Sequence, residues 1–211
     1  MEAPDREALE GQIRAHCDAG DKKRAATLLL EGYGREVFAF LLARLRDHDA
    51  ASEVFSQFTE DLWKGLDGFR WQCSARVWAY TLVRHAASRF IADARRREAG
   101  KVPLSGAGPL SAIEQRIRTA TLASARTEMR SRLAELRESL PVEEQTLLIL
   151  RVNRKLDWKE IACVMSYEGE VVTDEALEKE AVRLRKRFQI AKERLRRIAL
   201  EKGLIPPKND Q

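Results

Sequence analysis

The 211-residue sequence has little of several features that mark other classes of protein. Alternation of Val, Ile and Thr is nearly absent, which argues against β-strands, and there are only 11 Gly and 6 Pro residues. No apolar run approaches the roughly 18 residues that a membrane-spanning helix needs. The acidic start "MEAPDREALEGQIRAHCDAGD" lacks the basic-then-apolar layout of a secretion signal, so we expect a cytoplasmic protein.

Cysteine is also scarce, and its placement excludes the usual cysteine-based sites. Cys17, Cys73 and Cys163 are scattered and follow no CxxC spacing, so they predict neither a disulfide framework nor a zinc knuckle. His16 lies next to Cys17, but no second ligand pair accompanies them, and we expect no metal. The chain also lacks a Ser/His/Asp set, a Cys/His set and a phosphate-cradling Gly loop. We therefore expect neither an enzyme nor a cofactor.

The sequence is instead rich in helical periodicity. Apolar residues make up 44% of the chain and charged residues 34%, which is typical of a helical, solvated protein. Val54, Phe58, Leu62 and Leu66 recur at four-residue steps, as on one face of a helix. The fold class that these patterns predict is all-α.

A segment rich in Gly and Pro divides the chain. The stretch "AGKVPLSGAGPLS" places four Gly and Pro residues at positions 103–109. We read residues 98–111 as a flexible linker between two small helical domains, 1–97 and 112–205. The first domain is expected to end with a helix from about Val77 to Arg97, after a loop "FRWQCSAR". The second is expected to open with one helix from Ser111 to Ser139.

Charge is segregated along the sequence. Residues 67–101 carry a net charge of +5 and residues 181–211 carry +7, whereas residues 1–66 carry −4 and residues 102–180 carry −3. Two basic blocks in an otherwise acidic chain indicate two places that meet a polyanion.

The second basic block coincides with an amphipathic helix. Its apolar seam steps by four and three residues through Leu177, Ala181, Leu184, Phe188, Ala191, Leu195 and Ile198, and Arg and Lys occupy the remaining faces. The preceding "DWKEIACVM" predicts a short helix with Asp157 as its N-cap and Glu160 completing a capping box. Two such helices in sequence are typical of a helix-turn-helix. The alternative is a coiled-coil seam with solvated flanks.

In this order, the pieces resemble the sigma factors of bacterial RNA polymerase, of the extracytoplasmic-function class. "AASEVFSQFTEDLW" resembles the helix that docks on the polymerase clamp, although the family usually has acidic residues at Ala50 and Ser52 and Gln at Ser56. "FRWQCSARVWAYTLVRHAASRFIADARRR" resembles the promoter-opening segment. "LPVEEQTLLILRVNRKLDWKEIACVM" with "LRKRFQIAKERLR" resembles the domain that reads the −35 element.

The resemblance implies a specificity subunit with core RNA polymerase and promoter DNA as partners, and it assigns residues to three sites. The site for core polymerase comprises Glu53, Gln57, Glu60, Asp61 and Trp63. The site for the single-stranded −10 element comprises Phe69, Trp71, Arg76, Arg84, His85, Ser88, Arg89, Arg95, Arg96 and Arg97. The site for the duplex −35 element comprises Lys159, Lys179, Arg183, Lys186 and Arg187. An inhibitory partner of the anti-sigma kind would have to use the same surfaces.

One departure from the family concerns the segment between Met165 and Leu177, which is several residues longer than the usual turn. Either the turn carries an insertion or the recognition helix starts early, near Asp174. The first turn would then be acidic, which suits the helix dipole but repels phosphate, so base contacts are expected from Lys179 onward.

Two functions of other classes remain open on the sequence alone. One is a two-domain helical transcription regulator that binds duplex DNA without polymerase. The other is a helical scaffold or anti-sigma-like partner whose basic faces are only solvated.

Overall fold

The computed structural model describes residues 3–97, 110–129, 132–166 and 173–206, and all regular structure in these ranges is helical. The chain forms two compact units, Met1–Ala125 and Arg126–Gln211. Across the described ranges, no helix is long and apolar enough to cross a lipid bilayer.

The first unit contains α1 (Ala3–Asp18), α2 (Lys22–Leu45), α3 (His48–Gly65), α4 (Ala75–Arg97) and most of α5 (Ser111–Met129). Aspartate side chains cap the N-termini of α2 and α3. Asp21 accepts a hydrogen bond from the Arg24 amide at 3.1 Å, and Asp47 accepts one from the Ala50 amide at 2.7 Å. These bonds satisfy amides that a helix start otherwise leaves unpaired.

The core of this unit lies between α2, α3 and α4. Helix α2 is central, because apolar residues recur around much of its circumference and are buried: Ala25, Ala26, Leu29, Leu30, Val37, Phe38, Phe40, Leu41 and Leu42. Phe38 packs on Phe55 of α3 with ring centroids 5.2 Å apart, and Phe40 meets Tyr80 of α4 edge-on at 5.7 Å. Aromatic pairs of this geometry stabilise beyond the area that they bury.

A buried polar network ties α1 to α2 and α4. The Glu10 carboxylate accepts hydrogen bonds from the Tyr33 hydroxyl at 2.7 Å and from the amides of Ala75 and Arg76 at 2.7 and 3.1 Å. Burial, with the hydrogen bond to Glu10 next, raises the pKa of Tyr33. Glu10 thus acts as a cap for α4 that comes from a distant part of the chain.

Arg76 completes this network from the first turn of α4. Its guanidinium is 4% exposed and binds both carboxylate oxygens of Glu36, at 2.6 and 2.9 Å, while lying over the ring of Tyr80. A two-point pair of this kind holds both side chains in a fixed orientation.

Helix α5 changes the expected domain organisation. The sequence analysis placed residues 112–205 in the second domain, but residues 112–125 belong to the first unit. Leu110, Glu114, Ile117 and Thr121 form its buried stripe. The expected single helix to Ser139 corresponds to α5, described to Met129, and to the next helix, described from Arg132, and positions 130–131 between them lie outside the described residues. The proposed linker lies largely outside the described residues.

The second unit contains α6 (Arg132–Glu138), α7 (Val142–Leu148) with a π-helical turn over Ile149–Asn153, α8 (Trp158–Ser166) and α9 (Asp174–Glu201). The predicted capping box is present, since Asp157 accepts from the Glu160 amide and Glu160 accepts from the Asp157 amide, both at 2.7 Å. Five residues of the predicted α9 seam are buried: Leu177, Ala181, Leu184, Phe188 and Ala191. Trp158 of α8 meets Phe188 edge-on at 5.3 Å.

The start of α9 bears on one of the two alternatives left by the sequence, and the turn before it lies largely outside the described residues. The helix begins at Asp174, and the hydroxyl of Thr173 caps it by accepting from the Ala176 amide at 3.3 Å. The long helix therefore does start early, with Asp174 and Glu175 in its first turn.

Replacing Glu36 with Ala should lower the free energy of unfolding by about 3 kcal/mol, because it leaves the buried Arg76 charge without its partner. Urea unfolding of the full chain, followed by circular dichroism, measures the change. Glu60→Ala is the control, since it removes an exposed pair with Lys64 and should cost less than about 0.5 kcal/mol. Equal losses in the two variants would show that the Arg76 pair is not a structural anchor.

Candidate nucleic-acid interface

Three aromatic rings form a stack beside the loop that precedes α4. Residues 69–74 lie outside the helices, and Phe69 packs between Trp78, at 4.5 Å and 15° between ring planes, and Trp71, at 4.7 Å. Trp78 is 5% exposed and belongs to the core. Trp71 stands at the outer end of the stack and is half-buried.

The backbone of Trp71 is strained. Its φ is +56°, in the left-handed region that bulky residues rarely adopt. The ring is held by Phe69 on one side and by the guanidinium of Arg14, 5.5 Å from the ring centroid. Strain of this kind persists where the surrounding structure fixes it, and it clusters at functional sites.

A cavity of about 190 Å³ opens beside this stack, between the α1–α2 turn and the loop. Phe69 and Trp71 line it together with Cys17, Lys22 and Asp67, and Lys22 hydrogen-bonds to Asp67. Burial raises the pKa of the Cys17 thiol, and the nearby Asp18 and Asp67 charges raise it further. A protonated thiol is a poor nucleophile, so Cys17 does not indicate covalent chemistry in this cavity. The aromatic rings and the charged side chains that line the cavity suit stacking and hydrogen bonding instead.

Helix α4 carries the remaining residues assigned to the −10 element. Ser88 and Arg89 are exposed, and Arg84 and His85 are half-buried with the Arg84 Nη2 atom 3.1 Å from His85 Nε2. The helix continues through Arg95, Arg96 and Arg97, whose side chains lie outside the described residues.

Arg76 lies elsewhere than the sequence led us to expect. It was predicted to hold the backbone of a single strand from a loop, but it lies in the first turn of α4 with its charge buried against Glu36. The capping function of Glu10 extends the helix back to Ala75, and this long-range contact has no local sequence signal. Arg76 is therefore a structural residue.

The residues assigned to polymerase lie on α3, and part of that set meets α4. Glu53 and Gln57 line a small groove, about 90 Å³, together with Arg89. Gln57 donates to Asp61 at 3.0 Å, and Arg89 forms an ion pair with Asp61. Two sites that the sequence treated as separate therefore share one groove.

The other two residues of that set have partners of their own. Glu60 pairs with Lys64 at 3.3 Å. The ammonium of Lys22 lies 5.0 Å from the ring centroid of Trp63. The pair between Glu60 and Lys64 is exposed, and exposed ion pairs of this kind are weak and readily exchanged.

In the second unit, most residues assigned to the −35 element have carboxylate partners. Lys159 lies 2.6 Å from Asp174, and this hydrogen bond raises the pKa of Lys159. The other pairs are Lys179 with Glu175 at 2.7 Å, Arg183 with Glu180 at 3.1 Å and Arg187 with Glu143 at 2.7 Å. Lys186 is exposed and has no ion-pair partner within the described part of the chain. The basic face is thus partly neutralised by exposed pairs, which a phosphate can exchange at little cost.

Two apolar side chains lie on the same outer face and were missed by the sequence reasoning. Val182 is 49% exposed and Ile190 is 56% exposed, four residues before and after Lys186. Large apolar side chains exposed on a charged helix face indicate a contact surface. On a helix that enters the major groove, their methyl groups suit contact with the methyl group of thymine. The sequence did contain a signal for their exposure, because both are large apolar residues that fall outside the seven-residue seam and therefore point away from the core.

Comparison with known families bears on the first unit. Residues 29–97 match the family model of sigma-70 region 2. The match runs from within α2 through α3 and the aromatic loop to the end of α4, so this part of the first unit is similar to sigma-70 region 2. No curated protein matches the chain.

Replacing Arg183, Lys186 and Arg187 together with Ala should weaken binding to duplex promoter DNA. The slope of log affinity against log salt should fall by up to about 2.7, because each lost phosphate contact removes about 0.9. Fluorescence anisotropy from 50 to 200 mM salt measures the slope.

The matched control replaces Lys192, Arg196 and Arg197, which removes the same charge from the C-terminal half of α9. A recognition helix contacts DNA mainly through its N-terminal part, so the control should change the slope less. Equal changes in both variants would mean that the helix binds DNA through diffuse charge alone.

Proposed function

We propose that this chain is a sigma factor of the extracytoplasmic-function class, which binds core RNA polymerase and directs promoter recognition and opening. The observation that carries the proposal is the region 2 match over residues 29–97, on a unit whose strained aromatic loop projects Trp71 beside a cavity. The protein would act in the cytoplasm as a dissociable subunit, without a cofactor and without catalytic chemistry of its own.

In this proposal, α3 binds the largest polymerase subunit. Glu53, Gln57, Glu60, Asp61 and Trp63 supply a mainly acidic, partly exposed surface for a basic partner. The pair between Asp61 and Arg89 supports a coupled step. If polymerase engages Asp61, Arg89 is released from its carboxylate and becomes available to a phosphate.

The −10 element would be opened at the aromatic stack. An unstacked base needs a π-face, and Trp71 offers one at the end of a column that continues through Phe69 into the core. Arg84, His85, Ser88 and Arg89 on α4, with Arg95, Arg96 and Arg97 beyond them, would hold the backbone of the separated strand. Extruding a base costs a few kcal/mol, which stacking partly offsets.

The second unit would bind the −35 element as a duplex, with α8 and α9 as a helix-turn-helix. The outer face of α9, around Lys186, Val182 and Ile190, would meet the major groove. Lys159, Lys179, Arg183 and Arg187 would exchange their carboxylates for phosphates. The acidic first turn at Asp174 keeps the tip of the helix away from the DNA backbone.

The test of the proposal is binding to core RNA polymerase. Purified chain mixed with core enzyme should co-migrate on a sizing column, and the complex should start transcription from promoters that core enzyme alone does not use. A chain that binds duplex DNA but not polymerase would be a transcription regulator of another kind. If the chain binds neither DNA nor polymerase, the result would favour the alternative of a helical scaffold or anti-sigma-like partner.

A second prediction concerns strand opening. Trp71→Ala should reduce the fraction of open promoter complexes about tenfold, because a base–aromatic stack contributes about 1–3 kcal/mol, while binding to the closed duplex changes little. Permanganate footprinting measures opening, and gel retardation measures binding. The matched control is Trp63→Ala, which should weaken polymerase binding and leave opening per bound complex intact. Equal loss of opening and duplex binding in Trp71→Ala would make Trp71 a structural residue.

A further inference from the structure

Helix α5 docks on the first unit through a buried carboxylate. Glu114 is 7% exposed, and it accepts hydrogen bonds from the hydroxyls of Thr59 and Ser56, the latter at 3.0 Å. Arg118, one turn further along α5, binds the same carboxylate at 2.9 Å. A charged group buried on an otherwise apolar stripe fixes where the stripe can dock, since only a site with matching donors can receive it.

Apolar contacts and one surface pair complete the docking. Ile117 is 5% exposed and lies against Gly34 of α2 so closely that a β-carbon at position 34 would stand 2.4 Å from its Cδ1 atom. Arg116 forms an ion pair with Glu31 at 3.1 Å. The receiving groove thus consists of α2, where glycine makes room, and α3, where hydroxyls supply donors.

The groove adjoins the surface that we assign to polymerase. Glu53, Ser56 and Glu60 are spaced i, i+3 and i+7 on α3, so they share one face of that helix. Ser56 is engaged by Glu114, whereas Glu53 and Glu60 remain half-buried on the same face. A partner that covers this face must meet α5 or displace it.

Two buried polar atoms, one on α3 and one on α5, lack hydrogen-bond partners among the described residues. The Ser52 hydroxyl on α3 and the Nε atom of Arg118 are buried without a hydrogen-bond partner in the described parts of the chain. Buried donors without acceptors cost free energy. Arg118 belongs to α5, so undocking of this helix would return its Nε atom to water and relieve that part of the cost.

From these contacts we propose that α5 is a releasable cap on α3, held by Glu114, and that binding of core polymerase and docking of α5 compete. The inference rests on the proposed function, because it takes α3 as the polymerase-binding helix. It adds a regulatory step in which the free chain occupies part of its own interaction surface, and polymerase binds the undocked fraction.

The test compares Glu114→Lys with the full wild-type chain. Lysine loses both hydroxyl hydrogen bonds and repels Arg118, so α5 should undock. If α5 is docked most of the time, its release should tighten binding to core polymerase about threefold or more, since apparent affinity scales with the competent fraction. Glu7→Lys is the control, because it makes the same charge change at an exposed position of α1 and should leave the affinity unchanged.

Hydrogen exchange reports docking independently of polymerase binding. Residues 111–121 should exchange slowly in the wild-type chain and faster in Glu114→Lys, and adding core polymerase to wild type should produce the same acceleration. The proposal is wrong if these residues stay protected in either case, or if the undocked variant binds polymerase no more tightly than wild type. A wild-type chain that does not bind polymerase at all would overturn the proposed function and the competition with it, and exchange in Glu114→Lys would then still show whether Glu114 holds α5.

Discussion

The carboxylate of Glu10 is the contact on which the geometry of the first unit depends. It binds a hydroxyl on α2 and two amides at the start of α4, so three segments far apart in sequence are fixed by one side chain. Because α4 begins where Glu10 caps it, the loop over residues 69–74 has a fixed end. The orientation of Trp71 follows from that end and from the stack with Phe69. The site that we propose for an unstacked base is thus positioned by a polar contact at the end of the loop.

Helix α3 contacts α2, α4 and α5, and these contacts limit which part of its surface is exposed. Its core side packs on α2, one flank meets Arg89 of α4, and the other meets Glu114 of α5. Each flank contact is polar and can be exchanged for a partner of the same charge or hydrogen-bonding type. The proposed binding of a large subunit to α3 would therefore leave the apolar packing of α2 against α3, which holds the unit together, undisturbed.

Periodicity predicted the helices well, because helical packing in this chain is local and regular. The seam of α9 and the capping box at Asp157 were both predictable from residue spacing. The burial of Arg76 and the docking of α5 were not, because they depend on Glu10, Glu36, Ser56 and Thr59, which lie 40 to 66 positions away from the residues that they bind. The assignment of single residues to DNA and polymerase stays a prediction, because carboxylate partners on both units alter which cations are available.

The positive φ of Trp71 has a consequence for how this chain can change over evolution. Glycine suits that backbone conformation better than any other residue, so under the proposed function the backbone and base stacking favour different side chains at this position. A population selected only for robust folding would drift toward glycine there. If related chains keep a tryptophan at this position instead, that would indicate continued selection for the aromatic ring.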